Sequence, residues 1–142
     1  MAEFALVLPL LMLITGITVD FARVFQGSIA LQSAVRNAAE AAATQSTSSS
    51  EALATARRIV CTETAGMPGS AGTPPSCSSP TVGVPSFSRS TTAPGASARY
   101  PIATAQVSAT MPFRMLFSYP LMAPGGEWTL DAAATFQIIQ GR

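Results

Sequence analysis

Histidine and lysine are both missing from this 142-residue chain. Without histidine, Ser-His-Asp and Cys-His catalysis are excluded, and so are most zinc sites. Charge of either sign is sparse: 11% of residues, against ~25% in ordinary soluble domains. The eight basic residues are all arginine, the net charge is +1, and no basic cluster exists. Nucleic-acid binding therefore has little electrostatic support. The seven acids (Glu3, Asp20, Glu40, Glu51, Glu63, Glu127 and Asp131) are scattered, with no tight local pair for acid–base work. The expectation is a non-enzymatic protein with no catalytic residue, no metal and no cofactor.

Cysteine is nearly as scarce. Cys61 and Cys77 suit neither CxxC redox chemistry nor a metal cluster. Both flank a Gly/Pro/Ser-rich stretch where a covalent staple is useful. A bridge between them closes a loop of roughly 15 residues, worth roughly 3 kcal/mol in the chain-entropy model, and implies an oxidising compartment. Two free buried thiols are the other reading.

What the chain does have is apolar length. Its mean hydropathy is +0.36, and no charged side chain interrupts Phe4 to Val19. Glu3 stands just before that run; Asp20 and Arg23 follow it. No Lys or Arg precedes the run, which is unlike a secretory signal with its basic first segment. A membrane-spanning helix needs about 20 mainly apolar residues. Ala2 to Phe25 reaches that length if Asp20 and Arg23, three apart and able to pair, lie at the interface. Pro9 bends or opens the helix locally, a break that membranes tolerate. Phe4, Phe21 and Phe25 are explained by apolar packing and need no aromatic relay.

Beyond Asp20, a stripe of Phe21, Val24, Phe25, Ser28, Leu31, Val35, Ala38, Ala39 and Ala42 recurs at helical spacing. One helix from about Ala2 to Gln45 is roughly 65 Å long at 1.5 Å per residue. No core that this chain can build covers such a length, so part of the helix belongs in lipid or among other subunits. Ser48 and Glu51 have capping-box spacing and start a second helix from about Ser49 to Cys61. Met67 to Pro80 is expected to be irregular. Thr81 to Val84 is expected as a short strand ended by Pro85, and Ser86 to Ala98 as a polar loop open to O-linked glycans. Ile102–Met111 and Trp128–Ile138 alternate apolar and polar residues, as half-buried antiparallel strands do. The connection from Pro112 to Gly126 is unusually apolar and should pack on the helix or on another subunit. The expected fold class is α+β: a long N-terminal helix with an apolar first half, a short helix, and a small antiparallel β-rich head. The expected division is a helical segment at 1–45 and a head at 46–142.

Both ends of the chain carry a family likeness. Glu3 to Phe25, EFALVLPLLMLITGITVDFARVF, resembles the N-terminus of TadE-like pilins of the tight-adherence (Tad) branch of type IV pili. Leu31–Ala43, LQSAVRNAAEAAA, resembles their helix continuation, and Val107–Phe136 looks like their strand, PF loop and final TL-x-A strand. Ala65 to Tyr100 shows no such likeness. A larger relative in that pathway carries a von Willebrand-type domain; this chain has no DxSxS motif. The resemblance implies a basic leader removed by a prepilin peptidase, a helix held in the cytoplasmic membrane, and extraction into an extracellular filament by an ATP-driven assembly machinery. It also implies that Glu3 meets the amino terminus of a neighbouring subunit, although Glu3 is third here and the pilin acid is usually fifth in the mature chain. An interfacial acid outside the lipid is the plainer reading of Glu3. The expected contacts between identical subunits are Glu3, Phe4, Leu6, Val7, Leu10, Leu11, Ile14, Phe21, Val24 and Phe25. The resemblance by itself implies a minor pilin that helps start assembly; the expected role is nevertheless a filament-forming pilin, with a membrane-anchored minor pseudopilin that primes assembly or acts as a tip adhesin as the alternative.

Overall fold

A computed structural model describes residues 2–90, 102–116 and 127–139; the side chains of residues 2, 3, 5, 6, 90, 102 and 139 lie outside that description. Helix α1 runs unbroken from Ala2 to Gln45, with Pro9 inside it. From Phe4 to Val19 it has no charge to solvate, and its hydroxyls are satisfied within the helix. Thr15 and Thr18 donate to the Leu11 and Ile14 carbonyls, each at 2.8 Å.

The second half of α1 is the spine of the core. Leu31, Ala34, Val35, Ala38, Ala39, Ala42 and Ala43 are fully buried. The alanines let α1 approach its neighbours closely, at no cost in helix propensity. Helix α2, Ser49–Glu63, folds back along it and buries Ala52, Ala56 and Val60 against this row. Across the pair, the Asn37 side-chain amide donates to both carboxylate oxygens of Glu63, at 3.0 and 3.1 Å.

The turn between the helices is fixed by capping. The Glu51 backbone N–H donates to Ser48 Oγ at 3.3 Å. In return Glu51 Oε2 accepts from the Thr47 N–H and hydroxyl, each at 2.8 Å. Arg89 Nη1, from the sheet, donates to the Ser46 carbonyl at 2.6 Å, satisfying a group that the end of α1 leaves open. The two Thr47 hydrogen bonds hold the Glu51 carboxyl below its ordinary value; the Ser48 backbone and the Arg89 charge add to the effect, and burial opposes it. A carboxylate whose folded pKa is depressed stabilises the fold above its unfolded value of 4.5, and that contribution fades as pH falls through the folded value. Glu51→Gln should therefore lower the melting temperature at neutral pH. The gap from wild type should close below pH 4.5; parallel melting curves across pH test this, and a gap independent of pH would rule it out.

Five strands follow: β1 (Ala71–Thr73), β2 (Ser76–Ser79), β3 (Thr81–Ser90), β4 (Ile102–Arg114) and β5 (Glu127–Ile139). The last three form an antiparallel sheet in the order β3-β4-β5. β4 and β5 pair without interruption from Ile102 opposite Ile139 to Arg114 opposite Glu127. The alternation expected of β4 is present: Ala103, Ala105, Val107, Ala109, Met111 and Phe113 are buried. On β5, Leu130 and Ala132 are buried, and Ala134, Phe136 and Ile138 pack against the core. Gly27 brings α1 onto this face. A side chain there would stand 3.2 Å from Leu130 Cδ1 and 3.4 Å from the Phe113 ring.

Several local expectations need correction. β3 does not stop at Pro85 but continues to Ser90, so Ser86–Ser90 is strand, not loop; residues 91–98 lie outside the described structure. Pro85 is tolerated because it sits where the register shifts, between Gly83 and Ser86, on an edge strand that can spare a donor. The stretch from Met67 to Pro80 is not wholly irregular, since β1 and β2 pair across a turn at Pro74 and Pro75. Gly72, at φ +97°, lets β1 lie close to the Cys77 backbone. α2 runs two residues past its expected end, to Glu63. Pro112–Arg114 belongs to β4; of the expected apolar connection, residues 117–126 lie outside the described structure.

Cys61, in the last turn of α2, is bonded to Cys77 on β2, with Cα atoms 5.8 Å apart and a sequence separation of 16. The bond ties the β1–β2 hairpin to the helical layer. Cys61→Ser/Cys77→Ser should destabilise the head by about 3 kcal/mol. Denaturant titration of the oxidised wild type and the double variant measures this, and equal midpoints would count against it.

Candidate assembly surface

The N-terminal half of α1 meets no other part of the described structure over most of its length. Phe4 is 69% exposed, and Val7, Leu10, Leu11 and Ile14 lie between 48 and 58%. Leu8, Met12 and Leu13 are exposed as well. Apolar side chains thus point outward around the whole circumference, whereas a surface helix of a soluble domain keeps a polar side. A contiguous apolar surface above a few hundred Å² marks a site of protein or membrane contact. Among the described residues one helix is long and apolar enough to cross a membrane, and it is this one.

The exposed rod ends at a polar lock. Asp20 is 3% exposed. Its Oδ1 accepts the Leu116 backbone N–H at 3.0 Å and forms an ion pair with Arg23 Nη1 at 3.5 Å. The Arg23 guanidinium also lies 5.6 Å from the centre of the Phe113 ring, within cation–π range. The segment just after β4 is thereby pinned to α1 at the point where the apolar run stops. Asp20 is thus not simply an interfacial residue paired along its own helix, because it also holds a chain segment from far downstream. The sequence carries a hint of this in the apolar connection after Pro112, but none of its partner.

The remaining contact candidates separate. Phe21 and Phe25 are exposed, at 69 and 59%. Val24 is half-buried against the core. The sequence stripe groups all three; the face turned to the sheet keeps Val24 and Leu31 from that stripe but adds Asp20 and Gly27 in place of the two phenylalanines. α1 turns its smallest side chains to the sheet and leaves its phenylalanines outside. The side chains of Glu3 and Leu6 lie outside the described structure. Higher on α1, Ile29, Gln32, Ser33 and Arg36 border a shallow groove of about 400 Å³ against Ala133 and Ala134 of β5.

Residues 1–40 match the family model described as TadE-like protein. No curated protein and no solved structure matches the chain. The matched segment contains the whole exposed rod, the Asp20 lock and the start of the buried alanine row. Proteins of this family are structural components associated with the Tad pilus, and an apolar N-terminal helix fits a membrane-anchored member. On that N-terminal helix, the chain is similar to TadE-like proteins of the Tad pilus system.

Proposed function

We propose that this chain is a structural pilin subunit of an extracellular Tad pilus. The segment at 1–45 bundles with those of identical copies in the filament core, and the head at 46–142 lies on the surface. Before assembly the rod waits in the cytoplasmic membrane, where a prepilin peptidase and the pilus assembly machinery act on it. The observation that carries this reading is the rod from Phe4 to Val19, whose described side chains are mostly exposed and find no partner among the described residues of the head. In lipid such a surface has no hydrophobic drive to associate. In water it gains about 25 cal/mol for each Å² of apolar area covered. One segment can therefore be a monomeric anchor in the membrane and cohesive once extracted.

Shearing cells and imaging the released material tests the proposal. Fibres made of this chain alone support it; fibres built from another protein, with this chain confined to membranes, sink it. The TadE-like match favours a second reading, a minor pseudopilin that primes assembly, and the same experiment separates the two. Glu3 is assigned to the amino terminus of the next subunit, since an acid at the edge of hydrocarbon is costly unless paired. Glu3→Ala should lower the yield of sheared filaments, and an unchanged yield would remove Glu3 from the contact.

A further inference from the structure

The lower end of the β4–β5 hairpin carries exposed apolar side chains that the head does not use. Leu116 is 62% exposed and Trp128 48%. Trp128 is the only tryptophan. It pairs directly with Phe113, so both point to the face that packs on α1, yet only Phe113 is covered. On α1 at the same level, Phe21 and Phe25 face outward.

That level is set by two contacts. The Leu116 N–H bonds to Asp20, and the Phe113 ring lies against Arg23, one helical turn higher. A span beginning at Phe4 and needing about 20 residues to cross the hydrocarbon ends close to Arg23. The adjoining ends of β4 and β5, at Leu116 and Trp128, are therefore held where the rod leaves the lipid. Trp is enriched at that boundary, where its apolar ring and its N–H are both accommodated.

We infer that Leu116 and Trp128, with Phe21 and Phe25, form a collar that seats the head in the phospholipid interface before assembly. The inference rests on the rod being a membrane anchor. The collar fixes the depth of the head: Asp20 is shielded beneath it, and the alanine-lined part of α1 stands in water. The partner is the headgroup and upper acyl region of a bilayer, and no specific lipid is required.

The sole tryptophan makes the test direct. The full chain is reconstituted in vesicles of phosphatidylethanolamine and phosphatidylglycerol, with bromine placed on the acyl chains either near the glycerol backbone or near the bilayer centre. Vesicle flotation after alkaline washing reports on the rod, and Trp128 fluorescence reports on the collar. The expected result is flotation, with strong quenching by shallow bromine and weaker quenching by deep bromine. Flotation without quenching overturns the collar and leaves the anchor standing, whereas failure to float overturns both. A Trp128 emission shift seen only in assembled filaments would assign the ring to a second copy and overturn the lipid assignment.

Discussion

Ile14→Arg is expected to abolish membrane insertion and filament formation while leaving the head folded. Ile14 is near the middle of a span from Phe4 to Arg23 and is 51% exposed, outside the buried core. An arginine at the centre of a membrane helix costs about 2.5–3.5 kcal/mol on insertion scales. At 1.4 kcal/mol per tenfold, that is roughly a 100-fold loss of partitioning. In a bundled filament core the same guanidinium is an unpaired buried charge, which costs about 3–5 kcal/mol. The head has no stake in position 14, so its disulfide and its melting transition should be unchanged. Gln137→Arg, at an exposed position on β5 of the head, is the control and should do little. Alkaline extraction of membranes and the yield of sheared filaments give the readout. An Ile14→Arg chain that stays in the membrane and forms fibres would show that the rod is neither anchor nor core.

Phe113→Ala should be among the most damaging changes to the head. Phe113 is fully buried and, among the described residues, the largest of the completely covered side chains. Truncating a buried phenylalanine costs about 3–5 kcal/mol, more where the surroundings cannot collapse into the space. Here collapse is hindered. Below the ring is Gly27, which has no side chain to move in, and beside it is Leu130, already packed on the same helix. The ring also supports the Arg23 guanidinium, so its loss loosens the lock at Asp20. Against a total stability of about 5–15 kcal/mol, the loss should lower the melting temperature by roughly 12 °C or more. Thermal unfolding in detergent, followed by near-ultraviolet circular dichroism, measures it. A drop of only a degree or two would mean that the contact between α1 and the sheet is not the centre of the core.

The rod, the two long C-terminal strands and the Ser48 cap were legible because their signals are local. An uncharged run is visible without knowing what surrounds it. Strict alternation from Ala103 to Met111 has one structural meaning. Features set by distant partners were not legible. Pro85 reads as the end of a strand unless one knows that β3 is an edge strand with a register shift at that point. β1 and β2 are too short to alternate and depend on Gly72 and the bond from Cys61 to Cys77. Asp20 reads as the partner of Arg23, its neighbour along the helix; its bond to Leu116 spans 96 residues and leaves no local trace. The stripe on α1 held from Leu31 to Ala42 but misled at its start, for a related reason. Hydrophobicity favours Phe21 and Phe25, but the sheet takes the side on which Gly27 and the alanines permit close approach.

The central claim is that one apolar rod serves first as anchor and then as filament core. Leu11→Cys tests it most directly, because Leu11 is exposed on the rod and both native cysteines are already bonded to each other. The account predicts that a membrane-impermeant maleimide fails to label the new thiol in intact cells or in sheared filaments. It also predicts that oxidation joins neighbouring subunits through position 11 in the filaments. Ready labelling of the thiol in filaments, with no joined subunits, would contradict it.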